Sequence, residues 1–244
     1  YIGLVFAFLY LPIGVLIAYS FNESKSRAVF TGFTFDWYER LFHNEVIIQS
    51  LINTLIIAIV SSLIATIIGT AAAVGINSMN KWMKSAMMNL TYLPIINPEI
   101  VTGVSMMLLF VFLKLEFGFT TLIIAHITFG LPYVILNVLP KLRQMDNFVY
   151  EAALDLGCTP FLAFRKVIFP EILPGIISGM LMAFTFSLDD FVISYFTTGP
   201  TSQTLPVTIF SMTRRKVSPE INALSTIIFI VVLATLLIVN FKDL

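Results

Sequence analysis

Charge is scarce in this chain. Only 11% of its 244 residues are Asp, Glu, Lys or Arg, against roughly 25% in soluble domains. With 58% hydrophobic residues and a mean hydropathy of +0.93, a soluble globular protein is excluded. The few charges cancel to a net of zero, which removes the case for nucleic acid as a partner or for a polybasic lipid-binding patch. A single cysteine, Cys158, permits no internal disulfide and no cysteine metal cluster. The two histidines, His43 and His126, form no metal or triad constellation, and His126 reads as a hydrogen-bonded structural residue. No Gly-Lys-Ser/Thr occurs, so there is no phosphate-cradling loop and the chain is not its own ATPase. An intramembrane enzyme would need a nucleophile–base pair or a ligand set, and neither is present. Internal repeats and low-complexity tracts are also missing.

What fills the chain instead is apolar runs, with room for five to seven spans of ~20 residues. Six emerge: about Ile2 to Tyr19, Ile47 to Ile76, Met87 to Leu113, Thr120 to Leu139, Ile172 to Phe196 and Ile221 to Asn240. The first lacks a basic leading region or small-residue cleavage site and reads as a retained span. The class is therefore an all-α polytopic membrane protein. Pro94, Pro98, Glu99 and Gly103 interrupt the third span, and His126, Gly130 and Pro132 lie within the fourth. Such breaks are tolerated where neighbouring helices or a water-lined cavity satisfy the freed backbone. Those spans should face protein or a pathway.

Three acids, Glu99, Asp189 and Asp190, fall within or near spans. Each costs roughly 2.5–3.5 kcal/mol at mid-membrane, so such residues mark a pathway or a paired partner. No Lys or Arg lies inside any of the six spans, so a transported cation is the natural counter-charge. Neighbouring helical residues point about 100° apart. One aspartate of the pair should face the cavity, Asp189 by this reading, and the other a helix neighbour. Tyr92, Tyr195, Phe191 and Trp37 could add cation–π faces, although Trp37-Tyr38 also suits an interfacial belt.

The remaining polar stretch with helical spacing of its own is EAALDLGCTPFLAFRKVIFPEILPG, Glu151 to Gly175. Asn147 or Asp146 can cap a helix that Gly157 ends in the left-handed conformation. Thr159 caps a second, with Pro160 in its first turn, and Pro170 is expected to stop it. A DNA-binding helix-turn-helix has a similar shape. The charge from Lys141 to Pro170 argues against that: Lys141, Arg143, Arg165 and Lys166 oppose Asp146, Glu151 and Asp155. Glu151-Ala152-Ala153, three residues, Gly157, nine residues and Val167-Ile168-Phe169-Pro170 closely resembles the EAA loop of ABC importer permeases, with Val167 and Phe169 replacing Ile and Leu. In that family the loop is cytoplasmic and docks as a short helix into a groove of the ATPase, a helix-in-groove contact. The resemblance assigns ATPase coupling to Glu151, Ala152, Ala153, Gly157 and Pro170.

FSLDDFVISYFTTGP, PEINAL, HITFGLP and INPEIVTGVSMMLLF, with YLPIGVLIAYSFN and FTFDWYERLF, resemble the C permease subunits of spermidine/putrescine ABC importers nearly end to end. The resemblance implies a type I importer fold of about six transmembrane helices. It implies one permease domain over 1–244, with a first span at 1–20, a core at about 46–241 and a coupling loop at 141–170. It implies a bacterial inner-membrane location, a homologous second permease, two ATPase subunits that bind the ATP and Mg, and an extracytoplasmic polyamine-binding protein. The substrate pathway would take Glu99, Asp189, Asp190, Tyr92, Tyr195 and Trp37. The loop from Thr197 to Pro219 would dock the binding protein through Leu205, Pro206, Arg214 and Arg215. No cofactor is expected in this chain. Positive-inside bias orients nothing, because seven basic residues lie on each side. The resemblance alone puts the coupling loop and both termini in the cytoplasm. Two alternatives stand: a permease for another organic cation or ferric iron, and a channel or scaffold without ATP coupling.

Overall fold

A computed structural model of the chain describes residues 1–24, 29–215 and 219–242; the side chains of Asn147, Arg215, Val232 and residues 235–242 fall outside that description. Among the described residues the fold is helical, with one isolated bridge between Asn22 and Phe33. The helices are α1 (Ile2–Ser20), α2 (Asp36–His43), α3 (Glu45–Ser78), α4 (Lys81–Ile96), α5 (Glu99–Phe112), α6 (Phe119–Gln144), α7 (Asn147–Asp155), α8 (Pro160–Ala163), α9 (Phe169–Asp189), α10 (Val192–Thr197), α11 (Leu205–Arg215) and α12 (Pro219–Lys242). Four segments are long and apolar enough to cross a membrane: α1, α3, α6 and the run Pro160–Asp189. The α4–α5 pair makes a fifth if taken as one span, and α12 contributes the shorter apolar helix Pro219–Val231. About six spans are compatible with this.

Three expectations are corrected. The third span is a pair of helices bent by 104°, because Asn97 is extended and Pro98 denies the chain an N–H where α4 would continue. The fifth span also breaks: Asp190 is extended and separates α9 from α10. Pro170, in contrast, does not stop a helix. A π turn, Phe164–Ile168, joins α8 to α9, with the Phe169 N–H reaching back five residues to the Phe164 carbonyl. That wider turn gives the Pro170 ring room without ending the helix.

The chain divides into two compact units, residues 1–50 with 208–244, and residues 51–207. In the first, the stretch between the first two apolar runs contains an amphipathic helix, α2. It buries Trp37 and Leu41 and carries Asp36 and Glu39 at its start and Arg40 and His43 at its end, matching its dipole. In the second, α3, α6 and α9 share a core that includes Ala73, Ile76, Val134, Val138, Ile172 and Ile176. The α6–α9 contact is close enough that a Cβ on Gly175 would lie 2.7 Å from the Asn137 carbonyl oxygen, and one on Gly179 2.9 Å from Val134 Cα. Only glycine allows these backbones to approach so closely.

Candidate functional site

The coupling loop is built as its residues dictate. The Asp146 carboxylate accepts the Phe148 N–H at 2.9 Å and starts α7. Gly157, at φ +86°, ends it with two reversed bonds: its own N–H to the Leu154 carbonyl at 2.9 Å, and the Cys158 N–H to the Ala153 carbonyl at 3.1 Å. This is the Schellman arrangement, which needs a left-handed residue. The Thr159 hydroxyl then accepts the Leu162 N–H at 3.4 Å and Pro160 opens α8. Glu151, Ala152, Gly157 and Pro170 are exposed and Ala153 is half-buried. Around them Phe148, Leu156 and Phe161 are 76%, 86% and 75% exposed, an apolar surface on a segment otherwise rich in polar groups. The sequence reading missed these three, because an apolar letter carries little signal in so hydrophobic a chain.

The three acids each sit at a helix break. Glu99 is the first residue of α5, and one turn on, a Cβ on Gly103 would lie 3.4 Å from the Val192 carbonyl and 3.5 Å from Ile193 Cα. Those two residues open α10, just after Asp189 and Asp190. The Tyr133 ring of α6 packs on Phe186 at 4.3 Å between centroids, one turn before Asp190. The side chains of Glu99 and Asp189 are exposed. Among the described residues neither is paired with Lys or Arg.

Asp190 behaves differently, which corrects its place on the pathway. It is buried and its two carboxylate oxygens accept the Ile193 N–H at 3.2 Å and the Ser194 N–H at 2.7 Å. It caps α10, satisfying donors that the break leaves open. The difference in burial within the pair has a backbone cause: the chain leaves helical geometry at Asp190, which buries that carboxylate and leaves Asp189 exposed. Beside it His126 sits with a nitrogen 3.7 Å from the carboxylate, hydrogen-bonded to Ser187 and Ser194, as a structural histidine should be. The sequence reading did not pair these two residues.

Against this geometry, residues 65–242 match the family described as the binding-protein-dependent transport system inner membrane component. The chain belongs to this family. It is 39% identical, over 94% of its length and 90% of the relative's, to the spermidine/putrescine transport system permease protein PotC of Haemophilus influenzae. It is 40% identical to the putrescine transport system permease protein PotI of Escherichia coli K12, over 91% of this chain and 82% of that one. In fold it matches a bacterial ABC transporter that imports the acidic polysaccharide alginate, at a TM-score of 0.74 and 12% identity, covering 99% of this chain and 92% of the other. It is thus a multi-pass permease of the ABC transporter type, a transporter and not an enzyme.

Other site expectations for the permease fare unevenly. Trp37 was placed on the pathway, yet it is 4% exposed, gives its indole N–H to the Asn22 carbonyl at 2.6 Å and carries the Arg40 guanidinium 5.2 Å above its ring. Its face is occupied by its own unit. Tyr92 and Tyr195 remain partly open, and Tyr195 packs on Phe191 at 5.5 Å. The segment expected as a docking loop holds a helix, α11. Leu205 is buried in it, with its N–H on the Thr54 hydroxyl at 2.7 Å, so Leu205 is not a docking residue. Pro206 is half-buried, and Arg214 is exposed over the Phe210 ring at 5.6 Å. The Arg215 side chain and Lys216 lie outside the described residues, as do Lys25 and Arg27.

Proposed function

We propose that this chain is a transmembrane permease subunit of an ATP-driven importer for polyamines, spermidine or putrescine, in a bacterial inner membrane. It forms the pathway with a homologous second permease. Two ATPase subunits engage its EAA loop from the cytoplasm, and an extracytoplasmic binding protein delivers the solute. The observation that supports the substrate class is the pair of exposed carboxylates, Glu99 at the start of α5 and Asp189 at the end of α9, neither of them paired with Lys or Arg among the described residues. A linear polyammonium ion supplies that charge transiently, at roughly 1.5–3 kcal/mol per charge-assisted hydrogen bond. That selects a cation without trapping it. Likeness to relatives named for spermidine and putrescine supports the same class.

Coupling follows from the exposed apolar face of the loop. Phe148, Leu156 and Phe161 suit burial in a groove of the ATPase, with Gly157 fixing the turn that follows α7 and the exposed Glu151 free to meet the partner. Closure of the ATPase dimer on ATP draws the coupling helices together and opens the cavity outward, and hydrolysis returns it inward. The test is a reconstituted complex of both permeases, the ATPase and the binding protein, challenged with spermidine, putrescine, another organic cation and ferric iron. Polyamines should stimulate ATP hydrolysis and accumulate only with ATP. Stimulation by a different solute alone, or flux that persists without nucleotide, would overturn the proposal.

A further inference from the structure

The Asp190 break is held by more than its own cap. Four serine and histidine side chains from four helices meet there, all buried. The His126 ring of α6 hydrogen-bonds Ser187 of α9 through Nδ1 at 2.6 Å and Ser194 of α10 through Nε2 at 3.0 Å. Ser187 in turn meets Ser61 of α3 at 3.2 Å. The Ser194 backbone N–H donates to the Asp190 carboxylate at 2.7 Å, and His126 Nε2 lies 3.7 Å from the same oxygen. One imidazole therefore bridges the last turn of α9 and the first turn of α10, on either side of the extended residue that separates them.

The nearby acceptors favour one tautomer: Nε2 faces the Ser194 hydroxyl at 3.0 Å and the Asp190 carboxylate oxygen at 3.7 Å, so the imidazole proton is best placed on Nε2. Nδ1 is then an acceptor and takes the Ser187 hydroxyl proton, while the Ser61 hydroxyl lies 3.2 Å from Ser187 Oγ and also reaches the Ala58 carbonyl at 3.4 Å. Both ring nitrogens and all three serine hydroxyls have a hydrogen-bonding partner. Such a network is costly to break at one point, since the partner left behind stays buried without a bond.

We infer that His126 is a positioning residue. Clamping Ser187 and Ser194 sets the angle of the α9–α10 break, and so the direction in which Asp189, the residue between the clamp points that faces outward, presents its carboxylate. Removing the imidazole leaves α9 and α10 helical but frees the junction. Asp189 then samples orientations in which it does not meet the passing cation. This inference rests on the assignment of Asp189 to the polyamine pathway.

The experiment uses the whole complex in proteoliposomes and records polyamine uptake and basal ATP hydrolysis together. His126→Leu should lower uptake about tenfold, the loss expected for about one charge-assisted hydrogen bond, with basal ATP hydrolysis unchanged. His126→Gln, which keeps a donor and an acceptor, should recover much of it. Ser194→Ala keeps the backbone N–H on Asp190, removes one arm of the clamp and should cost about threefold; it serves if the leucine variant fails to assemble. The decisive arm is a double-mutant cycle with Asp189→Asn. If His126 acts through Asp189, the double variant transports no worse than Asp189→Asn alone. Multiplying losses, or equal loss of uptake and basal ATP hydrolysis, would refute the positioning role. Normal uptake by Asp189→Asn alone would instead sink the pathway assignment, and the inference with it.

Discussion

Replacing Gly157 by leucine separates the conformational demand of the coupling loop from its contacts. A Cβ at this position meets no atom within 4 Å, so within the permease the substitution creates no clash. What it disturbs is the backbone, held at φ +86° by the two reversed bonds from Gly157 and Cys158 to Leu154 and Ala153. A non-glycine residue in this region costs roughly 1 kcal/mol or more, about a fivefold fall in the ratio of intact to disrupted turn. Membrane insertion should be normal, because the core of α3, α6 and α9 is untouched. Transport by the assembled complex should fall, by up to about fivefold from each kcal/mol lost at the turn, and further if the leucine also meets the ATPase. A series resolves the two causes. Asn tolerates the left-handed region and should retain most activity; Ala bears the strain without the bulk; Leu bears both. Uptake and ATPase retention are measured at matched membrane abundance. Wild-type transport by the leucine variant would refute the assignment of this turn to coupling.

Glu99→Gln and Asp189→Asn should each lower polyamine uptake about tenfold at normal membrane abundance, the loss of one charge-assisted hydrogen bond; full uptake by the double variant would end the case for a carboxylate-lined path. Gly175→Val should destabilise the solubilised protein by about 1–3 kcal/mol, an overpacking cost, since its Cβ would meet the Asn137 carbonyl at 2.7 Å; an unchanged thermal midpoint would show that α6 and α9 can part freely. Arg214→Glu should weaken stimulation of ATP hydrolysis by the loaded binding protein, more so at low salt; stimulation equal to wild type at both salt levels would remove Arg214 from the docking surface.

The parts of the chain readable from sequence were those governed by short-range chemistry. The Asp146 cap, the Gly157 turn, and the Thr159 cap with Pro160 each follow from local hydrogen bonding and allowed dihedrals, and each occurs where expected. The misreadings involve competition between local and longer-range terms. Pro170 has the letter of a helix stop, but the preceding π turn absorbs it. Asp190 looks like a second pathway acid, yet the break after α9 exposes N–H groups that claim its carboxylate. Leu205 and Trp37 look available in a list of residues. Their burial depends on tertiary neighbours, Thr54 and Asn22, that no local pattern indicates. The bend at Pro98 was legible as an interruption, though its 104° angle was not.

The proline misread has a mechanical consequence for the proposed function. If Pro170 ended its helix, the coupling loop would join α9 through a flexible joint, and motion at the ATPase would dissipate there. Instead the helical run from Pro160 to Asp189 is continuous over 30 residues, roughly 45 Å at 1.5 Å per residue. One end lies beside the exposed apolar face of the loop, and the other ends at the acid assigned to the pathway. The run is held partway by the close α6 contact at Gly175 and Gly179. From Phe169 to Asp189 the helix, clamped near its middle, moves as a body, and the displacement imposed on the loop is delivered to the Asp189–Asp190 break. On this view the π turn Phe164–Ile168 is the compliant point, placed between loop and lever. Shortening it by one residue to restore regular α spacing would rotate the loop about 100° relative to α9. That deletion should abolish polyamine uptake while the assembled complex still hydrolyses ATP; coupled transport in the deletion variant would show that the phase between loop and lever carries nothing.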